Sequence, residues 1–132
     1  MTRIQYPYPT TKEGRALYHV IINPTAGNGR ALKAREKVEA ELKKRGLSFQ
    51  TSITERPGHA TEIARRIASQ DGEPRVIVVG GDGSFNEAAN GLIGTHAVMY
   101  FVSCGTGNDF VRVLNLPKDP LAALALQLDS AV

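Results

Sequence analysis

Three loops rich in glycine and polar residues carry the side chains best suited to chemistry. They are residues 23–29 (NPTAGNG), 80–87 (GGDGSFNE) and 105–109 (GTGND). Glycine lets a backbone turn sharply and bring its N–H groups close to phosphate oxygens, and a helix that begins there favours the same negative charge. The pattern therefore predicts a site for a phosphate-bearing ligand.

The middle loop is the clearest candidate for a phosphate cradle, because its glycines follow an apolar run and precede a helical pattern. Asp82 would repel a bare phosphate, so a magnesium ion or its water shell between the two would explain a carboxylate at this position. Two plainer interpretations stay open for this loop alone. The glycines could form only a tight connection between a strand and a helix, and Asp82 could serve as a helix N-cap.

The first loop combines backbone donors at Gly27 and Gly29 with the cations Arg30 and Lys33 near the start of a helical stretch. This arrangement also suits a phosphate, although a turn ended by Pro24 is an equally good interpretation. It is not a Walker loop, because no GxxxxGK[ST] pattern occurs in the chain, and no GxGxxG pattern opens the first helix. The usual P-loop and dinucleotide-binding patterns are therefore absent.

The third loop places Thr106, Asn108 and Asp109 around two glycines. These side chains could hydrogen-bond a phosphate or a ribose and set a carboxylate beside a metal ion, while helix capping is the alternative role for Asp109. Thr54 stands at the end of another apolar run, so its hydroxyl could reach the same region. Spacing alone favours a plain turn at residues 54–59 (TERPGH) over this role.

The spacing of apolar residues predicts the strands and helices that position these loops. We expect strands at residues 17–22, 47–54, 75–79 and 97–102, and helices at 31–45, 60–68, 88–93, 109–114 and 120–128. Such alternation, with strands that are apolar on both faces, favours a mostly parallel sheet covered by helices. We therefore predict one Rossmann-like α/β domain over residues 16–132, a three-layer α-β-α sandwich, preceded by an extended or disordered arm at residues 1–15. Ligands of such sheets bind beyond the carboxyl ends of the strands, where the loops should meet.

Composition narrows the class of protein further. The chain has 132 residues, of which 42% are hydrophobic and 22% charged, as in globular domains. No apolar run reaches the roughly 20 residues needed to cross a bilayer, and the start lacks a secretory pattern, so we expect a cytoplasmic location. Cys104 is the single cysteine, which excludes an internal disulfide, and the histidines lack zinc-ligand spacing.

Four motifs together resemble the catalytic-domain family of diacylglycerol kinases, sphingosine kinases and the bacterial lipid kinases similar to them. The motifs are NPTAGNG, TERPGHA, GGDGSFNEAANGL and GTGNDFVRVLNLP, in the order and at about the spacing of the family, and the resemblance covers residues 20–117. There are two local departures from the family pattern. Ser84 stands where threonine is usual, and Ser103 stands where proline commonly precedes the third loop.

The resemblance implies transfer of the γ-phosphate of ATP, assisted by Mg²⁺, to the hydroxyl of a lipid such as diacylglycerol at the inner membrane surface. It assigns the nucleotide contacts to Asn23, Pro24, Thr25, Ala26, Gly27, Thr54, Gly81, Asp82, Gly83, Ser84, Phe85, Asn86, Glu87 and Thr106. It also implies that Asp82 organises the magnesium ion and takes part in catalysis with Asp109. The main catalytic base would lie in a following β-rich domain, so we expect this chain alone to bind ATP weakly at best.

Two other functions share some of these features. Kinases for soluble substrates, such as NAD kinases and phosphofructokinases, also carry a GGDG loop, but NPTAG and GTGNDF favour the lipid branch. A non-catalytic nucleotide-binding module is the second alternative. We expect no nucleic-acid partner, and a homodimer stays open.

Overall fold

A computed structural model describes residues 17–70, 73–104, 117 and 119–130. Strands and helices alternate along these residues as β1 (Leu17–Ile22), α1 (Arg30–Lys44), β2 (Ser48–Ile53), α2 (His59–Ala68), β3 (Arg75–Gly80), α3 (Asp82–Leu92), β4 (Val98–Ser103) and α4 (Pro120–Ser130). The predicted strands agree with these bounds to within one residue, whereas α3 begins earlier than the apolar pattern indicated. The predicted arm at 1–15 and the helix at 109–114 lie outside the described residues.

The four strands form one sheet in the order β2-β1-β3-β4, and every neighbouring pair is parallel. In the centre of the sheet, Val20 is paired with Thr51 on one side and with Ile77 on the other. A helix follows each of the first three strands, as parallel neighbours require. All four strands consequently end at one edge of the sheet, called here the carboxyl edge. The glycine-rich loops identified from the sequence follow the ends of β1, β3 and β4 at this edge.

Two apolar layers cover the sheet and confirm the predicted α-β-α sandwich. On one face, Val20, Ile22 and Val79 pack with residues of α1 and α4 such as Leu42 and Leu124. On the other face, the strands pack with residues of α2 and α3, including Ile63, Ala64, Ala88 and Leu92. The central strands β1 and β3 are buried on both sides, which explains their nearly continuous apolar sequences. In the part of the chain that the structure describes, no helix is long and apolar enough to cross a membrane.

A side chain of α4 occupies the outer edge of β4. The backbone N–H of Phe101 donates to Gln127 Oε1 at 2.7 Å, and Gln127 Nε2 donates to the Phe101 carbonyl oxygen at 2.7 Å. A carboxamide has the same donor and acceptor as a peptide group, so Gln127 takes the place that a further strand would fill. It thereby fixes α4 against the strand that leads into the third loop.

His19 is a buried histidine on the central strand β1. Its side chain is 5% exposed, and its Nε2 makes no hydrogen bond with the described residues. Burial lowers the pKa of His19 below its ordinary value of 6.5, because the charged imidazolium would lose its hydration.

This histidine should make the stability of the domain depend on pH. A group whose folded pKa is lowered binds fewer protons in the folded state, so its stabilising contribution is complete above about pH 6.5 and is lost as the pH falls towards the folded pKa. We expect the free energy of unfolding to fall more steeply between pH 7 and 5 in the wild type than in a His19→Leu variant. Urea titrations at several pH values test this expectation, and parallel pH profiles of the two proteins would contradict it.

Candidate functional site

Backbone hydrogen bonds join the strand ends into a continuous rim at the carboxyl edge. The N–H of Asn23 donates to the Val79 carbonyl oxygen at 3.1 Å, and the N–H of Thr54 donates to Ile22 at 2.9 Å. The N–H of Cys104 reaches the Gly80 carbonyl oxygen at 2.8 Å. The beginnings of the first and middle loops, the turn after β2 and the end of β4 are therefore held in fixed relative positions.

A cavity of about 320 Å³ opens at this rim between the first loop, the turn after β2 and the start of α3. We call it the edge cavity, and it is lined by Asn23, Pro24, Thr25, Thr54, Glu55, Arg56, Pro57, Ala60, Ser84 and Glu87. Six of the residues that the family resemblance assigned to the nucleotide lie in this lining: Asn23, Pro24, Thr25, Thr54, Ser84 and Glu87. Three separate segments of sequence thus contribute to one hollow.

Hydrogen bonds through Asn23 order one wall of the edge cavity. Asn23 Nδ2 donates to Ser84 Oγ at 3.2 Å, while Asn23 Oδ1 accepts from Thr25 Oγ1 at 3.0 Å and from the Thr25 N–H at 3.3 Å. Ser84 itself is buried, with 7% of its surface exposed. The departure from threonine at this position therefore retains a hydroxyl that connects the first loop to α3.

The start of α3 has the geometry of an anion-binding helix terminus. Gly81 is the N-cap in an extended conformation, with φ −104° and ψ −169°, and as a glycine it has no side chain to cap the helix. The first backbone N–H groups of a helix have no intrahelical acceptor. A Cβ atom built on Gly83 would have no neighbour within 4 Å, so the space beside this turn is open.

Asp82 is the first residue of α3, directly after the N-cap Gly81. The N-cap residue of α3 is therefore Gly81 and not Asp82, as the alternative interpretation of Asp82 had it. One of its carboxylate oxygens, Oδ1, is buried. Among the described residues, no three His, Cys, Asp or Glu side chains come together as a metal site.

Gly27 brings the first loop into contact with the end of β4. Its φ is +63°, and a Cβ atom built on it would overlap the carbonyl oxygen of Cys104. The neighbouring Ala26 packs against the core layer beneath α1 and α4. Ala26 and Gly27 do not line the edge cavity, and the structure shows them as packing positions.

The two cations after the first loop lie away from the edge cavity. Arg30 Nε donates to the Gly27 carbonyl oxygen at 2.8 Å, and Arg30 and Lys33 line a second hollow of about 370 Å³ between α1 and α4. Cys104 also borders this hollow and is 6% exposed. Burial raises the pKa of the Cys104 thiol while nearby Arg30 opposes the rise, so this thiol stays protonated at neutral pH, as expected of a packing residue.

The turn after β2 supplies lining residues that the sequence analysis did not single out. Glu55, Arg56, Pro57 and Ala60 join Thr54 around the edge cavity. The Glu55 N–H donates to His59 Nδ1 at 2.9 Å, which closes the turn. Arg56 Nη2 also pairs with Glu62 Oε2 at 2.5 Å. Their position at the end of a parallel strand was the signal that could have identified them.

The remaining residues proposed to contact a nucleotide have other surroundings. Phe85 packs edge-on against Phe101, with ring centroids 4.8 Å apart, and its side chain belongs to the core. Asn86 is exposed on α3. Thr106 and Asp109 lie outside the described residues, so the structure does not relate them to the edge cavity.

Comparison with known proteins identifies relatives among lipid kinases. A family model described as the diacylglycerol kinase catalytic domain matches residues 17–132. A diacylglycerol kinase of Staphylococcus haemolyticus (strain JCSC1435) is 33% identical over 117 residues, covering 87% of this chain and 35% of that protein. The sphingoid long-chain bases kinase 1 of Arabidopsis thaliana is 33% identical over 112 residues, covering 79% of this chain and 15% of that protein.

A solved structure has the same architecture. The crystal structure of a diacylglycerol kinase from Bacillus anthracis (strain Sterne) superposes with a TM-score of 0.66 and 25% identity, covering 89% of this chain and 43% of that one. The chain spans about a third of the length of the first curated relatives that it matches. Since the family model covers nearly the whole chain and the fold agrees, this protein belongs to the diacylglycerol kinase catalytic domain family.

Proposed function

We propose that the edge cavity binds ATP and that the protein transfers the γ-phosphate of ATP to a lipid hydroxyl. One observation carries this proposal: a hollow with a polar lining opens beside the unobstructed glycine turn at the start of α3. The hollow suits a nucleoside, and the helix terminus suits its phosphates. Membership of a family whose named relatives are kinases supports the same proposal.

The size and lining of the edge cavity favour a nucleoside over a lipid chain. Its volume of about 320 Å³ is near the lower end of the usual range for small-molecule sites, roughly 300–1,000 Å³. Thr54 and Ser84 supply hydroxyl groups that can hydrogen-bond a base or a ribose. An acyl chain would leave these polar groups without partners at a cost in free energy.

Magnesium is proposed to bind together with the nucleotide. Protein sites for Mg²⁺ commonly use one or two carboxylates and complete the coordination with water and phosphate oxygens. We propose that Asp82, the first residue of α3, supplies one such carboxylate, and Asp109 is the second proposed participant. Bound magnesium would supply positive charge that offsets the charge of the phosphates. Because most of the proposed coordination comes from water and phosphate oxygens, we expect no tight magnesium binding in the absence of nucleotide.

The lipid acceptor and the rest of the catalytic cleft are proposed to depend on residues beyond this chain. The chain matches only about a third of its curated relatives, and phosphoryl transfer depends on positioning both substrates. We therefore expect this chain alone to bind ATP weakly and to transfer no phosphate. The complete protein would act in the cytoplasm on a lipid such as diacylglycerol at the inner membrane surface.

A Gly83→Val variant separates nucleotide binding from folding. The valine side chain would enter the open space beside the first turn of α3, where we propose that a phosphate binds. No protein atom lies within 4 Å of a Cβ at this position, so the substitution should not disturb packing. We expect affinity for Mg²⁺-ATP to fall at least about tenfold, a loss of about 1.4 kcal/mol, with little change in the melting temperature. Calorimetric titration measures the affinity, and Asn90→Val, at an exposed position of the same helix, is the control. Unchanged affinity in the Gly83 variant would contradict the proposed phosphate position.

The acceptor is tested by a transfer assay on the complete protein with ATP labelled in its γ-phosphate. Diacylglycerol in mixed micelles, NAD and fructose 6-phosphate would be offered separately. We expect label only in the lipid, with the transfer lost after Asp82→Asn. Transfer to a soluble acceptor instead would favour the alternative kinase class, and nucleotide binding without transfer to any acceptor would favour a non-catalytic module.

A further inference from the structure

We infer that Glu87 acts on the nucleotide site as a positioning residue, by fastening the turn at residues 54–58 to α3 across the edge cavity. This inference rests on the proposed function, and it differs from the direct nucleotide contact that the family resemblance assigned to Glu87. The role concerns the shape of the cavity. Glu87 holds one wall of it against the other.

Glu87 accepts two hydrogen bonds from the segment that begins α2. Its carboxylate oxygen Oε1 accepts from the backbone N–H of Gly58 at 3.1 Å. Its backbone carbonyl oxygen accepts from Thr61 Oγ1 at 2.7 Å. These bonds join residues 29 and 26 positions apart in the sequence, so the link between α3 and the start of α2 is tertiary.

The negative charge of Glu87 suits the place where its carboxylate is bound. Gly58 is the N-cap of α2, with φ +81°, and no side chain caps this helix through a hydrogen bond to its first turn. A helix N-terminus carries partial positive charge and favours a nearby anion. The acidic residue in the first turn, Glu62, is paired with Arg56. Glu87 therefore brings a carboxylate to this terminus from a different helix.

The link determines how the edge cavity is closed. Thr54, Glu55, Arg56 and Pro57 line one side of the cavity, and Ser84 and Glu87 line the other. The turn residues 55–58 are exposed, so packing holds them weakly, and a bond to a charged acceptor contributes more than an ordinary one. Removing the carboxylate should let the turn move away from α3 and widen the cavity. A nucleotide held by α3 would then lose its contacts with the turn, and its affinity would fall.

Two substitutions at position 87 separate the acceptor from the charge. Glu87→Gln keeps an oxygen acceptor for the Gly58 N–H at nearly the same place, whereas Glu87→Ala removes it. We expect the alanine variant to lose about tenfold in Mg²⁺-ATP affinity and the glutamine variant to stay within about threefold of the wild type. Glu36→Ala, which removes a carboxylate from an exposed position of α1 outside the lining of the edge cavity, is the control and should resemble the wild type. Hydrogen exchange of the Gly58 amide should accelerate in Glu87→Ala only.

Deoxynucleotides decide between positioning and direct contact. The affinities of 2′-deoxy-ATP and 3′-deoxy-ATP relative to ATP would be measured for the wild type and for Glu87→Ala. A positioning role predicts the same ratios in both proteins, because the ribose contacts are made by other groups. Ratios that collapse to one in the variant would overturn the inference and show that Glu87 binds the ribose.

The remaining outcomes are also distinguishable. Accelerated exchange at Gly58 with unchanged ATP affinity would overturn the positioning role while leaving the proposed function intact. Absence of ATP binding by the wild type would instead contradict the proposed function, and the inference would fail with it. Equal losses in the alanine and glutamine variants would overturn the inference, because they would show that the charge matters and not the bond to Gly58.

Discussion

Replacing Gly27 by alanine should abolish measurable ATP binding and lower the free energy of unfolding by about 3 kcal/mol, from overpacking together with backbone strain. The added Cβ would overlap the carbonyl oxygen of Cys104, and the backbone at Gly27 has φ +63°, which disfavours side chains. Cys104 cannot move aside easily, because its N–H is bonded to the Gly80 carbonyl oxygen in the sheet. The first loop would have to move away from β4 and take Asn23 with it. Urea unfolding and calorimetric titration measure the two effects.

Gly29→Ala is the matched control for this prediction. Gly29 also has a left-handed backbone, with φ +88°, but a Cβ atom built there has no neighbour within 4 Å. We expect Gly29→Ala to lower the free energy of unfolding by about 1 kcal/mol through backbone strain alone and to leave nucleotide binding nearly normal. If the two variants lose the same unfolding free energy and the same ATP affinity, the close contact between Gly27 and Cys104 has no special role.

Replacing Gly91 by alanine should separate α2 from α3 and cost about 3 kcal/mol in unfolding free energy through overpacking. A Cβ atom built on Gly91 would lie 2.5 Å from the Thr61 carbonyl oxygen and 2.8 Å from Ala64 Cβ. The Arg65 nitrogen would be 2.9 Å away, so most of the obstructing atoms belong to backbone that cannot rotate aside. Thermal unfolding monitored by circular dichroism is a suitable measurement.

A second glycine of α3 provides the control for Gly91. Gly83→Ala adds the same methyl group to the same helix where no atom lies within 4 Å, and alanine favours a helix over glycine by up to about 1 kcal/mol. We expect this variant to be as stable as the wild type or slightly more stable. If Gly91→Ala were as stable as Gly83→Ala, α2 and α3 would have moved apart without loss of stability. The hydrogen bond from Thr61 Oγ1 to the Glu87 carbonyl oxygen would then not depend on the close contact at Gly91.

The fold was largely predictable because apolar periodicity reports burial directly. The run RVIVV at residues 75–79 predicted a strand covered on both faces, and β3 is buried from Val76 to Gly80. The spacing of Ala34, Val38 and Leu42 predicted the buried face of α1. The strand order β2-β1-β3-β4 was not predictable in the same way. It depends on which helix faces fit together across the sheet, and no local pattern records that.

The site was predicted less completely, because a glycine has the same sequence signature whatever its role. Gly27 permits a close approach to Cys104, whereas the space beside Gly83 is open, and only the distances between loops distinguish the two. Arg56 and Glu55 were missed because charged residues in a turn usually face solvent. Glu87 was interpreted as a ligand contact, since its bond to Gly58 depends on how α2 lies against α3.

The most direct test of the central claim is a titration of the isotopically labelled chain with Mg²⁺-ATP, followed by amide chemical shifts. The account predicts saturable shifts in residues 23–25, 54–58 and 81–87, around the edge cavity and the start of α3, with little change at the opposite edge near Arg75. Shifts that cluster away from the carboxyl edge, or none at millimolar nucleotide, would contradict it.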